Sequence, residues 1–241
     1  MILSVVVIFN VICLSSIPLC RAQTYRCDVE EKATNNALKE IFLFAADKQK
    51  FPTNGAEMKS YCDANILHQK TIKTYGDKCL TPNSKRIVNL MIYSIVKNGA
   101  STCKSKRRSL DFQQVGKCGN VGQPDNRKCW DDWVVAMTGI SEVEDHKLKI
   151  PLSCCYVAKV SACLTRSFEK QSKVCPRKSI EYLDTLFGIY LTDVMAMLCG
   201  DYTADNDKCD KIISKIPAPK KKSKDQSPIS AIAKILESLP E

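Results

Sequence analysis

The chain has 241 residues, of which 44% are hydrophobic, and a formal net charge of +10. A chain of this length buries a sizeable core, so its 14 cysteines supplement packing rather than replace it. Its 10 prolines and 9 glycines exclude a low-complexity protein.

The first segment is typical of a secretory signal peptide. Residues 2–14 read ILSVVVIFNVICL, an apolar block of 13 residues, and small residues and a proline follow before a plausible cleavage position after Ala22. The block is too short for a comfortable membrane span, and no later run of ~18 apolar residues occurs. We therefore expect residues 1–22 to be removed, which leaves an exported chain of net charge +9 without a transmembrane segment.

Export determines how the cysteines are interpreted. Cys13 and Cys20 belong to the signal segment, and an even number of cysteines remains, which predicts six disulfides in an oxidising compartment. Close Cys-x-x-Cys pairs, typical of structural zinc sites, are absent, so no metal is expected. The spacing of the remaining cysteines does not determine which of them pair. The twelve cysteines are Cys27, Cys62, Cys79, Cys103, Cys118, Cys129, Cys154, Cys155, Cys163, Cys175, Cys199 and Cys209.

Apolar residues recur with helical spacing along nearly the whole chain, and no strand pattern of similar strength occurs, which predicts an all-α fold. Residues 104–127 are the exception, because they are basic and then rich in glycine, and they predict a long loop between two helical halves. A short helix over 129–139 should follow, with Trp130, Trp133 and Met137 on one side. The other predicted helices cover 28–47, 56–76, 82–99, 151–168, 176–199 and 229–239.

Two adjacent cysteines stand in the stretch LSCCYVAKVSAC, residues 152–163. Adjacent residues on a helix point about 100° apart, so Cys154 and Cys155 should each bond elsewhere rather than to each other. Together with Cys163 they would tie one helix in three directions, which makes it the central helix. Secreted phospholipases of the A2 type also carry such a pair. Here Val157, Ala158 and Lys159 stand where their His–Asp dyad would lie, so the general base is missing.

Other catalytic patterns are equally weak, and we expect no enzyme. The two histidines, His68 and His146, have no nucleophile motif nearby. Asp131 and Asp132 are neighbours and cannot face each other like a glycosidase pair.

The longest apolar helix, 176–199, carries two opposite stripes. One is mostly small or polar, which indicates either the close approach of another helix or a cavity wall for an apolar ligand. The other is apolar. The first stripe is Glu181, Thr185, Gly188, Thr192 and Ala196, and the second is Ile180, Leu183, Phe187, Tyr190 and Val194.

Two basic runs are candidates for proteolytic processing or for binding an anion such as a sulfated glycan, although a solvated surface is the alternative. Residues 217–226 predict a flexible linker. The amphipathic segment 229–239 is too short to be helical alone, so it should rest on the body, a partner groove or an anionic membrane. The chain then divides into 1–22, 23–216 and 217–241. The basic residues are Lys104, Lys106, Arg107 and Arg108, and Lys220, Lys221, Lys222 and Lys224.

The motif CCYVAKVSACL, followed by YLDTLFGIYLTDVMAMLC, resembles the cysteine-rich secreted proteins of arthropods, and among them the haemolymph glycoproteins of insects. The resemblance rests on the spacing of five cysteines, and it implies an extracellular fluid. The sequence has no Asn-x-Ser/Thr site, which departs from a glycoprotein family. The five cysteines are Cys154, Cys155, Cys163, Cys175 and Cys199.

The sequence therefore predicts a secreted, non-enzymatic helical protein that binds a partner or a small apolar ligand, without a cofactor and without nucleic acid. The alternative is a processed precursor or secreted effector that acts through the basic runs and the C-terminal amphipathic helix.

Overall fold

The computed structural model describes residues 26–202, 207–220 and 227–239, and it confirms the all-α prediction. These residues form nine α-helices and a short 3-10 helix, and none of them lies in a strand. In chain order, the helices are α1 (Cys27–Phe42), α2 (Gly55–Cys79), α3 (Pro82–Lys104), α4 (Lys106–Gln114), α5 (Gly116–Ser141), α6 (His146–Glu169), α7 (Arg177–Leu198), α8 (Lys208–Ile212), the 3-10 turn Ile213–Lys215, and α9 (Ile229–Glu237).

The predicted loop over 104–127 is wrong, because α4 and α5 occupy it. The glycines that suggested a loop instead form a helix face against which aromatic rings pack. A Cβ atom on Gly119 would collide with the ring of Phe51, and one on Gly122 would collide with the ring of Phe168. Pro124 lies on the exposed side of α5. The short helix expected over 129–139 is thus the second half of one helix of 26 residues.

Helix α1 ends at Phe42, five residues earlier than its apolar pattern predicts. Leu43 adopts a left-handed φ of 63°, which stops the helix. The carboxylate of Glu40 then accepts hydrogen bonds from the backbone N–H groups of residues 47, 48 and 49, at 2.9–3.2 Å. Apolar residues 43–46 are nevertheless fully buried, because the irregular segment lies inside the bundle.

Six disulfides join the twelve cysteines, and the prediction for the adjacent pair is confirmed. Cys154 bonds Cys199 at the end of α7, and Cys155 bonds Cys209 on α8. Cys163 bonds Cys129 on α5, so three bridges hold α6 to three neighbours. The remaining bridges are Cys27–Cys79, Cys62–Cys103 and Cys118–Cys175. Cys13 and Cys20 lie outside the described residues.

The six disulfides fall into two groups that no disulfide links, whereas the hydrophobic core is shared by both groups. Two of them join α1, α2 and α3 to one another, and four join residues 118–209. One hydrophobic cluster nevertheless includes side chains from both groups, since α3 packs against α7 and α9 packs against α3 and α5. Because no disulfide links the two groups, burial of this shared core supplies the main non-covalent attraction between them.

The C-terminal helix lies on the body of the protein, which is the first of the three supports that the sequence left open. Ile229, Ile235 and Leu236 are buried against the bundle. The linker before it also begins in contact with the body, because the backbone N–H of Lys220 donates to Glu142 at 2.8 Å. The structure describes residues 217–220 of that predicted linker, and residues 221–226 lie outside the described part.

Candidate functional site: an apolar cavity beneath the C-terminal helix

An apolar cavity of about 60 Å³ lies between α3, α5, α6 and α7, and α9 forms its remaining side. Its lining is almost wholly aliphatic, aromatic or sulfur-bearing. The lining residues are Ile87, Val88 and Met91 of α3, Trp133 and Met137 of α5, Ile150, Ser153, Cys154 and Val157 of α6, Leu191, Val194, Met195, Leu198 and Cys199 of α7 and its C-cap, and Ile232, Ile235 and Leu236 of α9.

Helix α5 contributes two fully buried side chains to the wall. Trp133 and Met137 are one helical turn apart, so they lie on the same face, and both are 1% exposed. Behind them, Trp133 meets Trp130 edge to face at 5.4 Å between ring centroids and Phe187 at 5.9 Å. The aromatic cluster therefore gives this side of the cavity a rigid backing.

A disulfide forms part of the wall between α6 and α7. Cys154 and Cys199 are 5.5 Å apart at their Cα atoms, and both line the cavity. The Cys199 Sγ atom also lies 3.4 Å from the Met195 sulfur. This bridge fixes the spacing of α6 and α7 at the end of α7, so these two helices cannot separate there.

Methionine side chains make the other parts of the wall adaptable. Met91, Met137 and Met195 come from three different helices and all line the cavity. Methionine is unbranched and has three rotatable bonds, so it fills irregular space and repacks at little cost. The cavity thus combines a fixed side, made by aromatic rings and a disulfide, with a deformable one.

Polar contacts hold α9 over the cavity at both of its ends, and those at its start are buried. At the start, the Ser227 hydroxyl donates to the Asn35 side-chain oxygen, and Asn35 Nδ2 donates to Ser230 at 2.8 Å. At the end, the Ser84 hydroxyl donates to Glu237 at 2.9 Å. These contacts reach α1 and α3, so the position of α9 is set by residues far away in the sequence.

A buried lysine completes the attachment of α9. The Lys149 ammonium donates to the Ser238 hydroxyl at 2.8 Å and to the Ser141 carbonyl at 3.0 Å. Desolvation lowers the pKa of Lys149. Its two acceptors tie the end of α9 to the segment between α5 and α6.

The cavity wall contains no Lys, Arg, His, Asp or Glu among the described residues that line it. Its two polar side chains are Ser153 and Trp133. The Ser153 hydroxyl donates to the Lys149 carbonyl at 2.8 Å. The Trp133 indole N–H is buried and has no hydrogen-bond partner among the described residues. The wall of the cavity is therefore uncharged and almost entirely apolar.

The small-residue stripe of α7 forms no part of this site, and both interpretations of it are wrong. All five of its residues are exposed, and a Cβ atom added to Gly188 would meet nothing within 4 Å. The opposite, apolar stripe faces the core, and its last member, Val194, lines the cavity. Burial follows the wider apolar face, so that face decided how the helix is oriented.

The first basic run stands at the junction of α3 and α4 rather than in a loop. Lys104 ends α3, and Lys106, Arg107 and Arg108 form the first turn of α4. All four are exposed, and Arg108 donates to the Ser101 hydroxyl. Of the second run only Lys220 is described, and it is exposed too. Lys221, Lys222 and Lys224 lie outside the described residues.

The histidines and the paired aspartates lie apart from the cavity. His68 Nε2 is 3.2 Å from Gln49 Nε2, and partial burial lowers the pKa of His68 while nearby Glu40 opposes the shift. His146 is exposed at the first residue of α6. Asp131 and Asp132 are both exposed on α5. The structure brings none of these groups together with a nucleophile.

Sequence reasoning placed Trp133 and Met137 on one helix side as core residues, but it did not identify them as a cavity wall. Their helical spacing was the available signal, and it indicates only that they share a face. No sequence signal indicates that Met91 and Ser153 line a cavity, because the packing of α3 and α6 brings them there.

Comparisons with protein-family models, curated proteins and solved structures found no match to this chain. Within the described residues, no group of three or more His, Cys, Asp or Glu is placed to hold a metal ion. In the same part of the chain, α6 alone has the length and composition of a helix that could cross a membrane. Core helices of soluble proteins pass the same test, and three disulfides bond α6 to α5, to the end of α7 and to α8.

Proposed function

We propose that this protein is an exported, non-enzymatic binding protein that carries a small apolar molecule in the cavity beneath α9. The observation that carries the proposal is the cavity itself, an uncharged space built by five helices with deformable methionine walls. Six disulfides are typical of proteins that work in oxidising, extracellular surroundings, and this supports export. The resemblance to arthropod haemolymph proteins would make body fluid the site of action.

The size of the cavity constrains how a ligand enters. Its volume is about 60 Å³, whereas an engineered apolar cavity of about 150 Å³ binds benzene. A ligand of more than a few carbon atoms therefore needs the walls to move. The methionines supply part of that movement. The described part of α9 supplies the rest, since it contains no cysteine and is held by hydrogen bonds and apolar contacts.

A titration of the secreted protein with n-heptane tests this function. The protein is labelled with carbon-13 at the methionine methyl groups, and heptane should shift the signals of Met91, Met137 and Met195. Met58 is buried elsewhere in the core and Met197 is half exposed, so their signals should stay unchanged. Unmoved signals from all three cavity methionines at saturating heptane would refute the proposal.

A matched pair of valine substitutions locates the binding. Val157 lies partly exposed on the cavity wall, and Val157→Phe should fill part of the cavity and weaken heptane binding at least about fivefold, the effect of overpacking by ~1–3 kcal/mol. Val135 is 44% exposed and does not line the cavity, so Val135→Phe should leave binding unchanged. Equal loss in both variants would place the site elsewhere.

The basic residues at the α3–α4 junction support a second function, the binding of a sulfated glycan. Three cations occupy the first turn of α4, where the helix dipole disfavours positive charge, and no acidic residue lies in that turn. A polyanion would relieve this repulsion. The alternative function is that of a secreted effector that acts through the basic runs and the C-terminal helix. Because α9 packs on the body, the basic residues at the α3–α4 junction are the exposed part of that alternative.

A further inference from the structure

The disulfide pairing gives the first basic run a position along the chain that its sequence does not reveal. The last bridge of the first group ends at Cys103, and the first bridge of the second group begins at Cys118. Among the six disulfides of the described residues, none spans the interval 104–117. A cut in this interval therefore leaves no covalent link between the two groups. The four cations of the run lie inside it: Lys104, Lys106, Arg107 and Arg108.

The other pairs of adjacent basic residues between the first and last of the twelve cysteines lack this property. They stand at 85–86, 127–128 and 177–178. The bridge that ends at Cys103 spans the first pair, and the bridge that begins at Cys118 spans the second. The bridge that ends at Cys199 spans the third. A cut at any of these pairs leaves its two fragments bonded to each other.

The backbone at the run needs little rearrangement to enter a protease. Ser105 is already extended between α3 and α4, and no residue from 104 to 111 is buried. Helix α4 has nine residues, and such a short helix is marginal on its own. Three cations in its first turn weaken it further, because they oppose the helix dipole. Its start can therefore unwind by local opening, the kind of motion that exposes a backbone to proteolysis.

The end of α4 and the contacts between the two groups stay in place during such an opening. Phe112 is the one buried residue of α4, and its ring meets that of Tyr61 at 5.3 Å between centroids. Across the two groups, Phe42 of α1 meets Trp130 of α5 at 5.4 Å. Gln123 of α5 also donates to backbone carbonyls of the segment after α1, at 2.7 and 3.1 Å. The shared core therefore holds both groups together without an intact chain between them.

We propose that residues 104–109 form a processing site for an endoprotease that cleaves after paired basic residues, and that the processed protein consists of two chains joined only by non-covalent contacts. Water hydrolyses the peptide bond between Arg108 and Ser109, which leaves a carboxylate on the first chain and an ammonium group on the second. The cavity then lies between two chains, since α3 belongs to the first, and α5, α6, α7 and α9 belong to the second. The processing site is independent of what the cavity binds.

Treatment of the purified protein with a subtilisin-like endoprotease specific for paired basic residues tests this site. The products are weighed by mass spectrometry after denaturation without a reductant. We expect two separate masses, one for a chain that ends at Arg108 and one for a chain that begins at Ser109. A cut at 85–86, 127–128 or 177–178 instead leaves a single mass, heavier by one water molecule, because a bridge still joins the fragments. A protein that keeps a single mass would overturn the proposal.

Matched substitutions locate the cut. A variant with Lys106→Gln, Arg107→Gln and Arg108→Gln should stay uncut, and it should fold normally because all three side chains are exposed. A variant with Arg177→Gln and Lys178→Gln, at two exposed positions in the first turn of α7, should be cut like the natural protein. Equal cutting of both variants would show that the basic run does not direct the protease, and it would overturn the site.

Two measurements on the cut protein test whether its chains stay together. It should elute from a size-exclusion column at the volume of the uncut protein. Its thermal midpoint should rise with protein concentration, because its unfolding separates two chains, whereas the midpoint of the uncut protein should not depend on concentration. Chains that elute separately would overturn the two-chain form. The methionine titration with heptane tests the carrier function independently, so the failure of either proposal is recognisable.

Discussion

Truncation of Ile235 to alanine tests whether α9 is an integral part of the core. Ile235 is 2% exposed and lies between the bundle and the cavity. Removal of three carbon atoms costs about 2.4 kcal/mol of transfer free energy, at about 0.8 kcal/mol each. The new void would join the existing cavity, so the walls have little to collapse onto. We therefore expect the free energy of unfolding to fall by about 3 kcal/mol, within the usual ~2–5 kcal/mol for such changes.

Guanidinium unfolding of the disulfide-intact protein, followed by circular dichroism, measures this loss. Leu67 is 67% exposed on α2, so Leu67→Ala is the control and should cost less than about 0.5 kcal/mol. Hydrogen exchange on the natural protein should show protected amides throughout the second half of α9. A loss below about 1 kcal/mol for Ile235→Ala, together with unprotected α9 amides, would refute the docking of this helix and remove the cover of the cavity.

Three further predictions concern the bridges, the basic run and the buried tyrosines. Alkylation of the denatured, unreduced protein should add no mass, and two or more labelled cysteines would contradict the six bridges. Replacing both Cys129 and Cys163 by alanine should lower the free energy of unfolding by about 2–5 kcal/mol. The unmodified protein should be retained on heparin at moderate salt. A variant with alanine at Lys104, Lys106, Arg107 and Arg108 should not be retained. If the unmodified protein is not retained even at low salt, the glycan site does not exist. Burial raises the pKa of Tyr61 to about 12 and that of Tyr190 well above its usual value, so the unfolded chain loses these protons first and stability should fall as the pH rises above about 10. Absorbance at alkaline pH should then show two of the eight tyrosines ionising only on unfolding, and smooth titration of all eight in the folded protein would contradict this burial.

Local sequence signals predicted most of the helices for a reason that is visible in the structure. Pro82 begins α3, where its missing N–H costs nothing, and the spacing of apolar residues along α7 matches its buried face. The same signals failed over residues 104–127, because glycine is read locally as a loop residue. In α5, Gly119 and Gly122 leave room for the rings of Phe51 and Phe168, which come from distant parts of the chain.

The sequence by itself determined that the chain is helical, that an even number of cysteines follows residue 22, and that Cys154 and Cys155 cannot bond each other. Each of these follows from properties of neighbouring residues: helical spacing, composition and the 100° step between adjacent side chains. Only the tertiary structure decided which cysteines pair, which face of α7 is buried, where α9 rests and which helices enclose the apolar cavity. These depend on which distant surfaces pack together, and several arrangements of the same helices would satisfy the same local pattern. The cavity beneath α9 exists only because one of those arrangements brings five helices to a common point without filling it.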